Sequence, residues 1–120
     1  MEHPSKELAK RILSEVDFNN RFVGSKMRER SGPVKVTNYS FKELLELMQD
    51  RLPGVNIQYL EKWIRDVMTD EELANSIHSI SDTEESYINK IGEIRKLMEE
   101  RFEQCREVAL ARQTAGEEPS

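Results

Sequence analysis

Cysteine is nearly absent. Cys105 stands alone, so no internal disulfide can form, which fits a reducing compartment. Two histidines, His3 and His78, are too few to complete a zinc ligand set with it. The five glycines lie apart at 24, 32, 54, 92 and 116, which excludes a Gly-rich phosphate loop. With 4 prolines besides, turn residues are scarce for an all-β domain. No uncharged apolar run approaches bilayer length. Met1–Glu7 lacks the apolar stretch of a secretory signal. No Asp-x-Asp-x-Asp-Gly calcium loop occurs. The expectation is a cytoplasmic chain with no metal, no cofactor and no membrane partner.

What is present is charge. The 120 residues are 34% charged and 37% hydrophobic, against about 25% and roughly 45–50% (the latter counting Gly) in an average domain. Leu, Ile, Val and Phe still make up 29 residues, above the ~20% below which charged chains stay disordered. A thin core is therefore expected.

Helical signals dominate. Ser5 can cap a helix over 5–16 with Leu8, Ile12 and Val16 on one stripe, and Phe18, Phe22 and Val23 are read as its extension up to Gly24. Residues 24–39 lack helical periodicity. Val34 and Val36 alternate with polar residues, but a lone strand has no partner, so a docking loop is expected. Ser40-Phe41-Lys42-Glu43 matches a capping box and opens a helix over 40–52, closed by Pro53-Gly54. Asn56 caps a helix over 57–68, with Tyr59 and Trp63 beside its apolar face. A short helix starts at Thr69-Asp70-Glu71-Glu72. A long one spans about 83–112, and a polar, mobile tail is expected over 113–120.

The last helix carries a 4-3 repeat at 87, 91, 94, 98, 101, 105 and 108, in which slot 101 is Arg101 and Phe102 is the apolar neighbour. Thirty residues make a helix about 45 Å long, whereas a compact chain of this size is roughly 35 Å across. No other expected helix can cover it alone. Hence Tyr87, Ile91, Ile94, Met98, Phe102 and Cys105 are read as an interface, with a homodimer or another protein as its partner, unless the helix breaks near Gly92.

The charge is also partitioned. Residues 1–68 hold 12 Lys+Arg against 10 Asp+Glu, whereas residues 69–120 hold 6 against 13. Arg21, Lys26, Arg28, Arg30 and Lys35 form a local basic stretch, either solvated or a nucleic-acid contact. Helix, Pro-Gly turn, helix over 41–68 outlines a helix-turn-helix reader, but the face with Glu61 and Asp66 is poor for DNA. Trp63 and Tyr59 read as core edge, and the carboxylates near 70 and 82 as helix-start electrostatics. His78 lacks a visible catalytic partner. Cys105 reads as a buried small hydrophobe, with Glu103 and Glu107 disfavouring a thiolate.

The expected fold is thus all-α, a helical body over 5–80 and a long helix over 83–112 within one domain, 1–112. The expected function is a non-enzymatic protein-interaction module, an adaptor or small regulatory subunit self-associating through the last helix. The alternative is a dimeric helix-turn-helix DNA-binding regulator.

Overall fold

The computed structural model describes residues 1–117, with side chains through Ala111. Among the described residues the fold is α+β, not all-α: five helices and a three-stranded antiparallel sheet. The elements are α1 (Lys6–Leu13), one 3-10 turn (Phe18–Asn20), β1 (Phe22–Arg28), β2 (Gly32–Asn38), α2 (Phe41–Met48), β3 (Pro53–Gly54), α3 (Ile57–Asp66), α4 (Glu71–Ser81) and α5 (Tyr87–Glu117). Of the tail expected over 113–120, residues 118–120 lie outside the described residues.

Four capping signals act where the sequence places them, whereas Asp82, expected at the start of the long helix, closes α4, and α5 begins at Tyr87 with no acid in its first turn. The side chains of Ser5, Ser40, Asn56 and Asp70 each accept from a backbone N–H three residues on, which satisfies an orphan donor of the first turn. The capping box closes with a second bond, from Tyr39 N–H to Glu43 Oε1 at 2.7 Å. Helix α2 stops at Met48, earlier than the expected Leu52.

The correction to the fold class lies at residues 22–38. Phe22 and Val23 do not extend the first helix. They begin β1, which pairs with β2 from Phe22↔Asn38 to Arg28↔Gly32. The strand that seemed partnerless has its partner just upstream. Gly32, at φ 71°, takes the left-handed conformation that closes the turn after Glu29-Arg30-Ser31. β3 adds to the other side of β1 through Ser25↔Gly54 and Lys26↔Pro53, giving the order β2-β1-β3.

One core runs through the helices and the base of the hairpin: Ile12, Phe22, Phe41, Leu44, Leu60, Ile64, Leu73, Ile77, Ile94 and Met98 are fully buried. Helix α5 passes unbroken through Gly92. It receives α4, α2 and α1 against its length, while α3 packs on α4. The molecule measures 58 × 30 × 24 Å, elongated as so long a helix requires. No helix among the described residues is long and apolar enough to cross a membrane.

Candidate functional site

Of the six residues read as an interface, four face inward, Phe102 is half-buried and Tyr87 is exposed. Ile91, Ile94, Met98 and Cys105 are buried. Phe102 stacks on Phe41 of α2, ring centroids 6.2 Å apart and 10° from parallel. The hydroxyl of Tyr87 donates to the Pro53 carbonyl at 2.6 Å and accepts from the Val55 N–H at 2.8 Å, so it holds β3 in place. No single helix covers α5; three short ones share the task and bury most of this stripe within the chain.

Slot 101 of the repeat holds a charge inside the core. Arg101 is 2% exposed. Its Nη2 donates to Glu72 Oε1 at 2.9 Å, and its Nη1 to Gln104 Oε1 at 3.0 Å and the Glu2 carbonyl at 2.8 Å. Nε lies 2.8 Å from Asp70 Oδ2, but off the direction a hydrogen bond requires, so that contact is ionic only. This network joins the chain start, α4 and α5. Arg101 and Asp70 are buried at its centre, which makes it a tie between these elements.

Next to it, burial pushes the Cys105 thiol up to about 11, with Arg101 acting in the opposite direction and Asp70 adding to the rise. Glu103 and Glu107, expected to act on this thiol, are not the source.

His78 does find carboxylates in a cleft of about 620 Å3 between α3, α4 and the start of α5. Nδ1 lies 2.9 Å from Glu61 Oε1 and Nε2 3.2 Å from Asp82 Oδ2. Nδ1 is at hydrogen-bonding distance from Glu61, Nε2 meets Asp82 only as an ion-pair contact, and the ring is more than half exposed. The carboxylates sit on opposite sides of the ring, so the set cannot converge on an ion. Among the described residues no group of three His, Cys, Asp or Glu side chains could hold a metal. The ring ties α3 to α4.

The helix-turn-helix outline also dissolves. α2 and α3 do not pack on each other, because β3 intervenes and is drawn onto β1. Helix α3 instead forms its helical hairpin with α4, whose first turn is acidic.

What remains uncommitted is the β-hairpin. Its base is fixed. Phe22 is buried against Tyr59 and Trp63, at centroid distances of 4.8 and 5.6 Å. Trp63 Nε1 donates to the Asn20 carbonyl at 2.7 Å, and Asn38 Nδ2 to the Phe22 carbonyl at 3.2 Å. Trp63 and Tyr59 therefore anchor the arm at its root. Beyond that root, residues 27–31 and also Pro33 and Lys35 are exposed.

Four of the five cations in the basic stretch ride on this arm: Lys26 and Arg28 on β1, Arg30 in the turn, and Lys35 on β2. None of the four has an ion pair or side-chain hydrogen bond among the described residues. Arg65, Arg95, Arg101 and Arg106 pair with carboxylates, whereas Lys6, Lys10, Arg11, Lys42, Arg51, Lys62, Lys90 and Lys96 have no ion pair among the described residues either, so what sets the arm apart is the clustering of its cations. Arg21 stays at the root, its guanidinium 3.8 Å over the Phe18 ring and donating to the Phe18 carbonyl. Strand alternation puts Lys26 and Arg28 on the face of Val34 and Val36, and Lys35 on the opposite face with Met27. Beside Lys26, a groove of about 480 Å3 between the sheet and α2 is lined by Glu43, Glu46 and Asp50.

Two features of the arm escaped the sequence. One is the pairing itself. Its signal was two short runs, one ending in Lys26-Met27-Arg28 and one with Val34 and Val36, separated by a turn containing Gly32. The other is the open edge of β2, which no local pattern encodes. No protein-family model, no curated protein and no solved structure matches the chain.

Proposed function

We propose that this chain is a non-enzymatic protein-interaction module whose working surface is the β-hairpin arm. The observation that supports this is the clustering of four cations, Lys26, Arg28, Arg30 and Lys35, none of them in an ion pair among the described residues, on one hairpin of a chain of net charge −5. Where carboxylates are in excess, an arm that keeps its cations unpaired is complementary to an anionic surface elsewhere. The arm needs no chemistry of its own for this role, and the Cys105 thiol is buried in the core. The rigid base favours binding, because the arm loses little conformational freedom when it docks.

The experiment is affinity capture from nuclease-treated extract with the wild-type chain and with a Lys26→Glu, Arg28→Glu, Arg30→Glu, Lys35→Glu variant of unchanged circular dichroism. A protein held by the wild type and lost by the variant is the expected outcome. A partner held equally by both overturns this reading.

A second reading has one observation in its favour. Exposed Met27 pairs across the hairpin with Pro33, and apolar wedges between cations are used by ribbons that enter the minor groove. It ranks second because Glu29 sits in the turn and Glu43, Glu46 and Asp50 stand beside the arm, where a polyphosphate would have to run. Duplex DNA binding at low salt, weakening steeply as salt rises, would support it.

A further inference from the structure

We infer that the open edge of β2 accepts an extended acidic segment of a partner protein as an added strand. The inference rests on the reading of the arm as the interaction surface and names the partner's chemistry.

The edge is available. In the order β2-β1-β3, β2 is terminal, and its main chain pairs with β1 alone over residues 32–37. Pro33 has no N–H and interrupts the outward row of N–H and C=O groups near the turn, so the template for another strand is the stretch from Val34 to Thr37. The same edge is already used one step further on. Past the end of β2, an extended piece of this chain pairs there: Glu15 bridges Ser40, and Val16 N–H donates to the Tyr39 carbonyl at 2.7 Å. An incoming strand would continue the line that Glu15 and Val16 begin.

Charge selects the occupant. Lys35 projects from β2 itself on the outer face, and Arg28 and Arg30 stand toward the tip. Half-buried Val34 and Val36 lie on the inner face, where Glu43, Glu46 and Asp50 line the groove toward α2. The fitting segment therefore alternates: carboxylates on the face of Lys35, β-branched side chains beside the two valines. A second copy of this chain is disfavoured. Pairing β2 with β2 brings both sets of four unpaired cations together and, in the two-fold register centred there, sets Lys35 against Lys35. A nucleic acid is disfavoured as well, since it offers no main-chain hydrogen bonds to a strand edge.

The test uses a short acetylated, amidated peptide alternating Glu with Val, titrated into the isotope-labelled full chain. Amide shifts and hydrogen exchange are followed by NMR. The inference expects β2 amides within 34–37 to gain protection, binding to weaken with salt, and Lys35→Glu to weaken it by about ten-fold, ~1.4 kcal/mol. The same peptide with Lys for Glu should not bind.

Peptide binding without protection of β2 amides overturns strand addition and leaves the arm as the interaction surface. Absence of any peptide binding, while a captured protein still depends on the four cations, does the same. Preference for a duplex oligonucleotide over the peptide, with shifts on the same arm, overturns this inference and the protein-interaction reading together.

Discussion

Arg101 shows how one residue can keep its place in a pattern and change the meaning of the pattern. It occupies an apolar slot of the helical repeat and is as buried as the slot demands, because Asp70 and Glu72 on α4 meet its charge there. Removing one member of a buried pair strands the other, at a cost of ~3–5 kcal/mol. Arg101→Met is expected to lose that much in urea denaturation. Adding Asp70→Ser, which keeps a capping oxygen for Leu73 N–H, should restore much of it; no recovery would show that the charge pair is not the cause.

Cys105 is linked to pH in the alkaline range. Burial holds its thiol neutral up to about 11, against 9.0 for the exposed group. The folded value lies above the unfolded one, so the stability this thiol contributes is whole below pH 9.0 and is lost as pH rises toward about 11. Across that window the wild type should lose stability more steeply than Cys105→Ala, whatever the smaller side chain costs at neutral pH. Parallel curves would contradict the assignment.

Among elements, the helices were legible and the strands were not. Helix starts depend on residues three or four apart, so Ser40 with Glu43, or Asp70 with Leu73, could be read locally. Phe22 was read as helical because it is apolar at a helix-like spacing from Phe18. Its true partners are Asn38 across the hairpin and Trp63 on α3, which no short window contains.

The three strands depend on one close approach. A Cβ at Gly24 would meet Leu47 Cδ2 at 2.7 Å and the Gly54 carbonyl oxygen at 2.9 Å. The leucine can shift, but the backbone oxygen cannot move without loosening β3. Gly24→Ala is expected to cost ~1–3 kcal/mol as overpacking. Faster hydrogen exchange at Ser25 and Lys26 would locate the damage, and unchanged exchange there would refute this account of it.

The whole molecule is a long helix clothed by short ones. At ~1.5 Å per residue, the 31 residues of α5 span about 46 Å, and α4, α2 and α1 cover its apolar stripe in relay. Burial of most of that stripe within the chain leaves less apolar area facing water to drive a homodimer through it. Light scattering on the free chain at micromolar concentration is expected to give a monomer. A dimer there would mean that another surface self-associates. By itself the sequence determined what acts over one or two turns: most of the caps, the helical stripes, and the separation of a basic from an acidic part. Only the tertiary structure decided what covers α5, which charges enter the core, that residues 22–38 are an arm, and which of its edges stays open. Those outcomes depend on contacts such as that of Arg101 with Asp70, or of Trp63 with Asn20, whose partners are brought together by the fold and by nothing in their own neighbourhood.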